Sequence, residues 1–321
     1  MPVSLDRREL LAAGGASLAA SIVNTSTENS LAAERAAPEF GFCLNTSTIR
    51  EFDGKGGKPR PIVEQVDIAA NAGYDAIEPW VRDLHQYKGS GGSMADLRKR
   101  IVDRGLTVES AIGFASWIVD DDAKREAGYE TAKRDMAILL EIGGKRLAAP
   151  PVGATGQTDL NLFAAAERYR KLLEIGDEIG VIPEVELWGF SKSMSRLGEL
   201  MFVAVESGHP SACVLPDVYH IYKGGSAFTG LGLIHGPSIQ VFHMNDYPAD
   251  PPRETIGDAD RVYPGDGVAP LGDILRTLRA TGCRCMLSLE LFNRDYWKQD
   301  PMKVAATGLN KMRASVEAAF A

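Results

Sequence analysis

From Phe40 onward, short apolar runs alternate with stretches whose apolar residues recur every three or four positions. These are the signatures of buried strand and amphipathic helix. The runs cover residues 40–44, 74–77, 107–112, 146–149, 181–187, 212–215, 239–242 and 285–291, eight in all. Between them, Ile62, Val66, Ala69 and Ala72 share one helical face, as do Met94, Leu97 and Ile101. The pattern repeats with Ala132, Met136, Leu139 and Leu140, with Leu162, Ala166, Tyr169 and Leu173, and with Leu271, Ile274, Leu275 and Leu278. The connection at 217–237 is Gly-rich and has the weakest helical pattern. Gly73, Gly105, Gly143, Gly180 and Gly282 each stand just before a strand, where a left-handed cap ends the preceding helix. Strand and helix in strict alternation predict a parallel α/β fold.

Eight such repeats after residue 37 match a (β/α)8 TIM barrel in number and in length, as one domain over 38–321. The rival, a doubly wound sheet around a dinucleotide, needs G-x-G-x-x-G directly after its first strand. Here that strand is followed by Asn45-Thr46-Ser47-Thr48, so the barrel is expected.

The first 37 residues follow other rules. Arg7-Arg8 precedes a segment rich in Ala, Gly and Ser, and small-residue sites end at Ala33 or Ala37. This is the layout of a twin-arginine export signal. It predicts a periplasmic or otherwise exported protein; an ordinary amphipathic helix on a cytoplasmic protein is the alternative.

Composition narrows the function. The chain has 321 residues, 45% of them hydrophobic and 24% charged, with a formal net charge of −8. That balance argues against a partner bound through its phosphate backbone, so no nucleic acid is expected. No apolar run is long enough for a membrane span. Cys43 and Cys213 lie in separate apolar segments, and Cys283 and Cys285 sit one residue apart on one strand face. Neither pattern is a disulfide framework or a zinc–thiolate site.

In a barrel of this type the chemistry gathers where strands end. Glu78 closes the second strand, Glu186 the fifth and His243 the seventh; Asp217 and His220 follow the sixth, and Glu290 closes the eighth. Glu186, Asp217, His243 and Glu290 come from four successive strands and would converge near the axis. Three carboxylates and an imidazole make a hard, oxygen-rich site for one divalent ion, Mn²⁺ or Mg²⁺ first, with Co²⁺ or Zn²⁺ also accommodated. Glu184 shares the strand face of Glu186; Glu186 is preferred because it stands at the strand's end.

These residues resemble the xylose isomerase-like barrel superfamily, in the branch of sugar phosphate isomerases/epimerases, hydroxypyruvate isomerase, ketose 3-epimerases and inosose-handling enzymes. The likeness runs over about 39–320. It is carried by Gly73-Tyr74-Asp75-Ala76-Ile77-Glu78, Glu186, Asp217-Val218-Tyr219-His220, His243, Pro264-Gly265-Asp266-Gly267 and Glu290. The resemblance implies an isomerase or epimerase of a ketose, keto-sugar or inosose, working by α-proton transfer through an enediolate. Glu186 and Glu290 would move the proton, His220 would steady a substrate oxygen and Arg253 would add positive charge near it. A homodimer is common among such proteins. The export signal favours a free sugar or polyol over a phosphorylated one.

Trp80, Trp117, Trp188 and Trp297, the chain's four tryptophans, all fall just beyond strand ends. Flat aromatic faces suit the C–H faces of sugar rings, so with Glu78 they are expected to bind substrate; loop anchoring is the plainer use of a Trp. A lyase or dehydratase on a keto-sugar or keto-inositol would need the same first step and stays open as the alternative. A DNA-repair endonuclease would need further histidines at the second and third strand ends, which read Glu78-Pro79-Trp80 and Gly113-Phe114-Ala115. A non-catalytic sugar-binding protein would have no use for a second Glu.

Overall fold

The strand Phe40–Asn45 pairs in parallel with Ala76–Glu78 on one side and with Cys285–Leu289 on the other. From this start the barrel can be followed around in the computed structural model, which describes residues 40–321. Cys285–Leu289 pairs with Val241–Met244. The other half holds Arg146–Ala149, Ile182–Glu186 and Val214–Leu215, again in parallel. Two junctions close the ring. Asp217 bridges to His243, and residues 107–112 touch Ala76 at one end and Ala148 at the other. The eight-stave barrel expected from the alternating pattern is therefore present; the proposed export segment lies outside the described residues.

The third stave departs from expectation. Residues 107–112 form isolated bridges instead of a continuous strand. Thr107 exchanges backbone bonds with Asp75 and Ile77, and Ile112 with Pro79 and Val81, but the positions between make no ladder to the second strand. Pro79 has no N–H to donate at that point. The sixth stave is also shorter than expected, at Val214–Leu215, and the Gly-rich connection holds one short helix, Val218–Lys223, followed by 3-10 turns.

The five cap glycines all take φ between 75° and 90°, the conformation that ends a helix and turns the chain into the next strand. The helices lie with their apolar faces inward. In Leu271–Ala280 the buried residues are Leu271, Ile274, Leu275 and Leu278, each contributing roughly 1.5–3 kcal/mol of burial. Inside the barrel, Ile112, Ala148, Leu215 and Val241 form a small separate cluster, one residue from each of four staves. Among the described residues no helix is long and apolar enough to cross a membrane, and all four cysteines are free and buried.

Candidate metal centre and active-site cavity

Strand register brings the polar groups together. Asn45 stands opposite Glu78 in the first pairing, and its Nδ2 donates to Glu78 Oε2 at 2.8 Å and to Glu290 Oε1 at 3.2 Å. Asp217 caps the short helix Val218–Lys223: its Oδ1 accepts from the His220 N–H at 2.7 Å. Its Oδ2 is left to face the barrel axis, where Asn245 Nδ2 donates to it at 2.9 Å.

His243 lies between the carboxylates and is fully buried. Its Nε2 is 3.1 Å from Glu78 Oε2; its Nδ1 is 3.2 Å from Glu290 Oε2 and 3.6 Å from Asp217 Oδ2. Among the described residues, Nδ1 nevertheless has no properly aligned hydrogen bond. Asp217, His243 and Glu290 each offer one ligand atom, all within 4.8 Å of one another. Ligands about 2.1 Å from one ion at right angles stand ~3 Å apart, so these spacings suit a shared cation. A second observation agrees. The buried Arg261 guanidinium lies between the same carboxylates, with Nη1 2.9 Å from Glu290 Oε2 and 3.0 Å from Asp217 Oδ2. Positive charge is what this cluster needs, and the orphaned Nδ1 and the donor types fit a divalent metal.

Glu186 stands outside that trio. It lines the adjoining cavity and, among the described residues, has no hydrogen-bond partner. Burial chiefly pushes its carboxyl well above the usual range; His243 opposes, and Glu290 and Asp217 add to the rise. Glu290 behaves oppositely: burial would raise it, but His243 and then Arg261 outweigh burial and hold it below the carboxylate range. For His243, burial works downward and the charges of Glu290 and Glu78 carry it well above its ordinary value. His220 is brought down to about 3 by burial first and by Arg261 second, so it is neutral. Its Nδ1 accepts from the Gly189 N–H at 3.2 Å, and its Nε2 stands 3.1 Å from Arg261 Nη2.

Several expected roles change. Arg253 does not reach the cavity. Its side chain is half exposed and nearest Glu254, on the Pro-rich stretch of the loop. Arg261 takes the central place instead, packed 4.4 Å over the Tyr219 ring and paired with Asp258 at 2.6 Å. The loop after the seventh strand explains why. Asp246 accepts backbone N–H bonds from Tyr247, Gly265, Gly267 and Ala269, and a Cβ on Gly267 would strike the Tyr247 carbonyl oxygen at 2.2 Å. That pinned turn, with the bridge from Asp246 to Val262, delivers Arg261 and leaves Arg253 outside.

Glu78 is fully buried and bonds His243, Asn45 and Ser288, and it is not among the residues that line the cavity. Trp117 is fully buried, with Nε1 on the Pro150 carbonyl and its ring against Tyr169. Trp297 bonds the Ser47 carbonyl and supports the small hairpin Glu51–Phe52 and Gly57–Lys58, where a Cβ on Gly57 would strike the indole. Both are structural anchors. Trp80 and Trp188 do line the cavity, which has a volume of about 160 Å³. Glu184 is buried below it, accepting from Ser110, with burial raising its carboxyl to about 7.

With barrel, cluster and cavity established, the relatives can be placed. Residues 66–315 match the family described as xylose isomerase-like TIM barrel. The chain belongs to this family. It is 23% identical to an inosose isomerase of Bacillus velezensis over 293 residues, 87% of this chain and 98% of that protein. It is 24% identical to a 3-dehydroshikimate dehydratase of Pseudomonas putida, over 78% of this chain but 39% of the longer relative. The crystal structure of the IolI protein with a bound zinc atom superposes with a TM-score of 0.78 at 20% identity, covering 88% of this chain and all of that one. At that identity the structural match establishes the fold alone.

Proposed function

We propose that this chain is a divalent-metal-dependent isomerase or epimerase acting on a keto-sugar or inosose. The observation that carries this reading is the buried Asp217–His243–Glu290 cluster opening onto a cavity whose wall holds Glu186. The family membership and the near full-length match to an inosose isomerase support it.

Asp217, His243 and Glu290 would hold the ion, with Glu186 beside them on the cavity wall. Three carboxylates and one imidazole favour Mn²⁺ or Mg²⁺, and a zinc-bound neighbour keeps Zn²⁺ open. A bound divalent cation supplies positive charge against the oxygens of the substrate as its α-proton departs. The chain's own groups divide the remaining work. Glu186, without a hydrogen-bond partner among the described residues, can accept and return the proton. Glu290 is pinned by Asn45 and Arg261, which suits a ligand that stays in place. Neutral His220 and the Arg261 beside it present fixed polarity to a substrate oxygen.

Deuterium wash-in tests the reading. Metal-loaded protein in D₂O, given free ketoses, inososes and 3-keto-glycosides, should place deuterium α to the carbonyl of at least one. No exchange across the panel, with metal demonstrably bound, would remove the proton-transfer assignment. The dehydratase reading shares this step and is distinguished by a new absorbing enone in the product.

A further inference from the structure

The cavity has two chemically different parts. Its polar groups are Glu186, His220, Asp258, Arg261 and Glu290. The rest is apolar: Trp80, Ile112, Phe114, Trp188, Phe190 and Phe292. No Ser, Thr, Asn, Gln, Lys or Tyr is among the lining residues. The Trp80 Nε1 is turned away to Asn45 Oδ1 at 3.3 Å, leaving the Trp188 indole N–H as the one wall donor without a partner among the described residues.

The aromatic rings are continuous. Centroids run Trp80 to Phe114 at 4.9 Å, Phe114 to Trp188 at 6.3 Å and Trp188 to Phe190 at 5.2 Å, the last pair stacked. Phe190 then meets His220 at 5.8 Å, so the strip reaches the polar groups. Its outer members are unusually bare: Phe114 is 37% exposed and Phe190 46%. Exposed apolar area that is contiguous, and continuous with a reacting centre, marks a binding surface. A free polyol lying on it would lose water from its distal hydroxyls and gain almost no partners. A flat apolar group would gain area and ring stacking.

We propose that the strip Phe114–Trp188–Phe190 is a subsite for a planar apolar substituent. The substrate is then a keto-sugar or keto-cyclitol that carries an aryl or similarly flat group, not a bare polyol. This deepens the function proposed above and rests on its reading of the polar floor as the reacting end. Phe114 and Phe190 are the residues that set this specificity.

The test is calorimetric titration of the metal-loaded full chain with phenyl and methyl D-glucopyranosides, each as both anomers. For at least one anomer the phenyl glycoside should bind tenfold or more tightly than the methyl one. Phe190→Ala and Phe114→Ala should each pull that ratio toward one, and Phe190→Trp should keep it. Metal content and melting temperature verify that the variants fold. Should Phe114→Ala fail to fold, Phe190→Ala, at the more exposed position, decides alone. A ratio near one in the wild type, a ratio untouched by both Ala variants, or no binding of either phenyl anomer overturns the subsite. Deuterium exchange with free ketoses, inososes and 3-keto-glycosides, run in parallel, separates the two proposals. Exchange without phenyl preference removes only the subsite; phenyl preference without exchange in any keto compound removes only the proton-transfer reading.

Discussion

The Nε2 of His243 lies 3.1 Å from Oε2 of Glu78, with both side chains fully buried. This contact decides which imidazole nitrogen is available, because Nε2 is occupied and Nδ1 is turned toward Glu290 and Asp217. Glu78 is itself held by Asn45 at 2.8 Å and Ser288 at 2.7 Å. A carboxylate behind a metal-binding histidine typically strengthens metal affinity 10–100-fold. Glu78→Gln keeps the shape and removes the charge, so it should weaken divalent-metal binding by about that factor, measured by competition with a chromophoric chelator. Unchanged affinity would mean that Glu78 does not position the ring.

Arg261 is an internal counter-charge to the carboxylates of the centre. It is 1% exposed and bonds Asp217, Glu290 and Asp258 at once. Removing one partner of a buried ion pair typically costs about 3–5 kcal/mol, because a charge is left uncompensated. Arg261→Met should therefore lower the melting temperature of the chelated protein sharply. Adding Mn²⁺ should recover more stability in this variant than in the wild type, since the ion supplies the missing charge and binds only the native state. Arg253→Ala, at a half-exposed position, should shift stability by no more than ~0.5 kcal/mol. Equal effects at the two arginines would contradict the assignment.

Much of the barrel is legible from local signals. Each stave is an apolar run, five of the eight follow a helix that stops at glycine, and those glycines need their positive φ for a local reason. The third stave escaped because Pro79 interrupts its partner strand, a long-range effect that no window over 107–112 contains. Strand-end position also identified Asp217, His243 and Glu290 correctly as neighbours. It could not say that Glu78 points at His243 and not at the cavity, since both orientations place a Glu at a strand end. Arg261 had a usable signal: it stands three residues before Pro264-Gly265-Asp266-Gly267, the turn that Asp246 pins, whereas Arg253 sits among prolines with no such anchor. Trp117 and Trp297 looked like Trp80 and Trp188 in sequence; only the partners of their indole N–H groups tell anchor from wall.

Away from the centre, Asp67 on the helix Ile62–Ala72 accepts from Arg100 and Arg104, which end the neighbouring helix. Hydrogen bonding by Arg100 chiefly, with Arg104 also contributing, holds its carboxyl below the usual value. A depressed carboxyl stabilises the fold above its unfolded pKa of about 3.9 and loses that contribution as pH falls through the lower, folded value. Asp67→Asn should therefore cost somewhat under ~1 kcal/mol at pH 7, given partial exposure. The gap from wild type should narrow as pH falls below about 3.9 and through that lower folded value. A gap that persists unchanged in acid would point to packing in place of charge.

Glu186 and Glu290 offer the sharpest test of how the centre works, because their surroundings differ. Glu290 is tied to Asn45 and Arg261 and lies 3.2 Å from His243 Nδ1; Glu186 has no hydrogen-bond partner among the described residues and lines the cavity. A group that must take a proton from carbon needs freedom to approach it, and a group that must hold a cation needs to be held. Glu290→Gln should therefore act first on metal affinity, and excess metal should restore part of the exchange. Glu186→Gln should keep bound metal when metal is in excess, yet lose turnover by about 10²–10⁴-fold, the usual worth of a positioned base. The deuterium pattern then separates the reaction types. If Glu186 is the only base, its variant abolishes exchange from every substrate. If Glu290 serves the opposite face, as a two-base epimerase requires, Glu186→Gln still washes deuterium into one epimer and Glu290→Gln into the other. Wild-type exchange and turnover in both variants, with metal fully bound, would reduce the two residues to ligands and remove them from proton transfer.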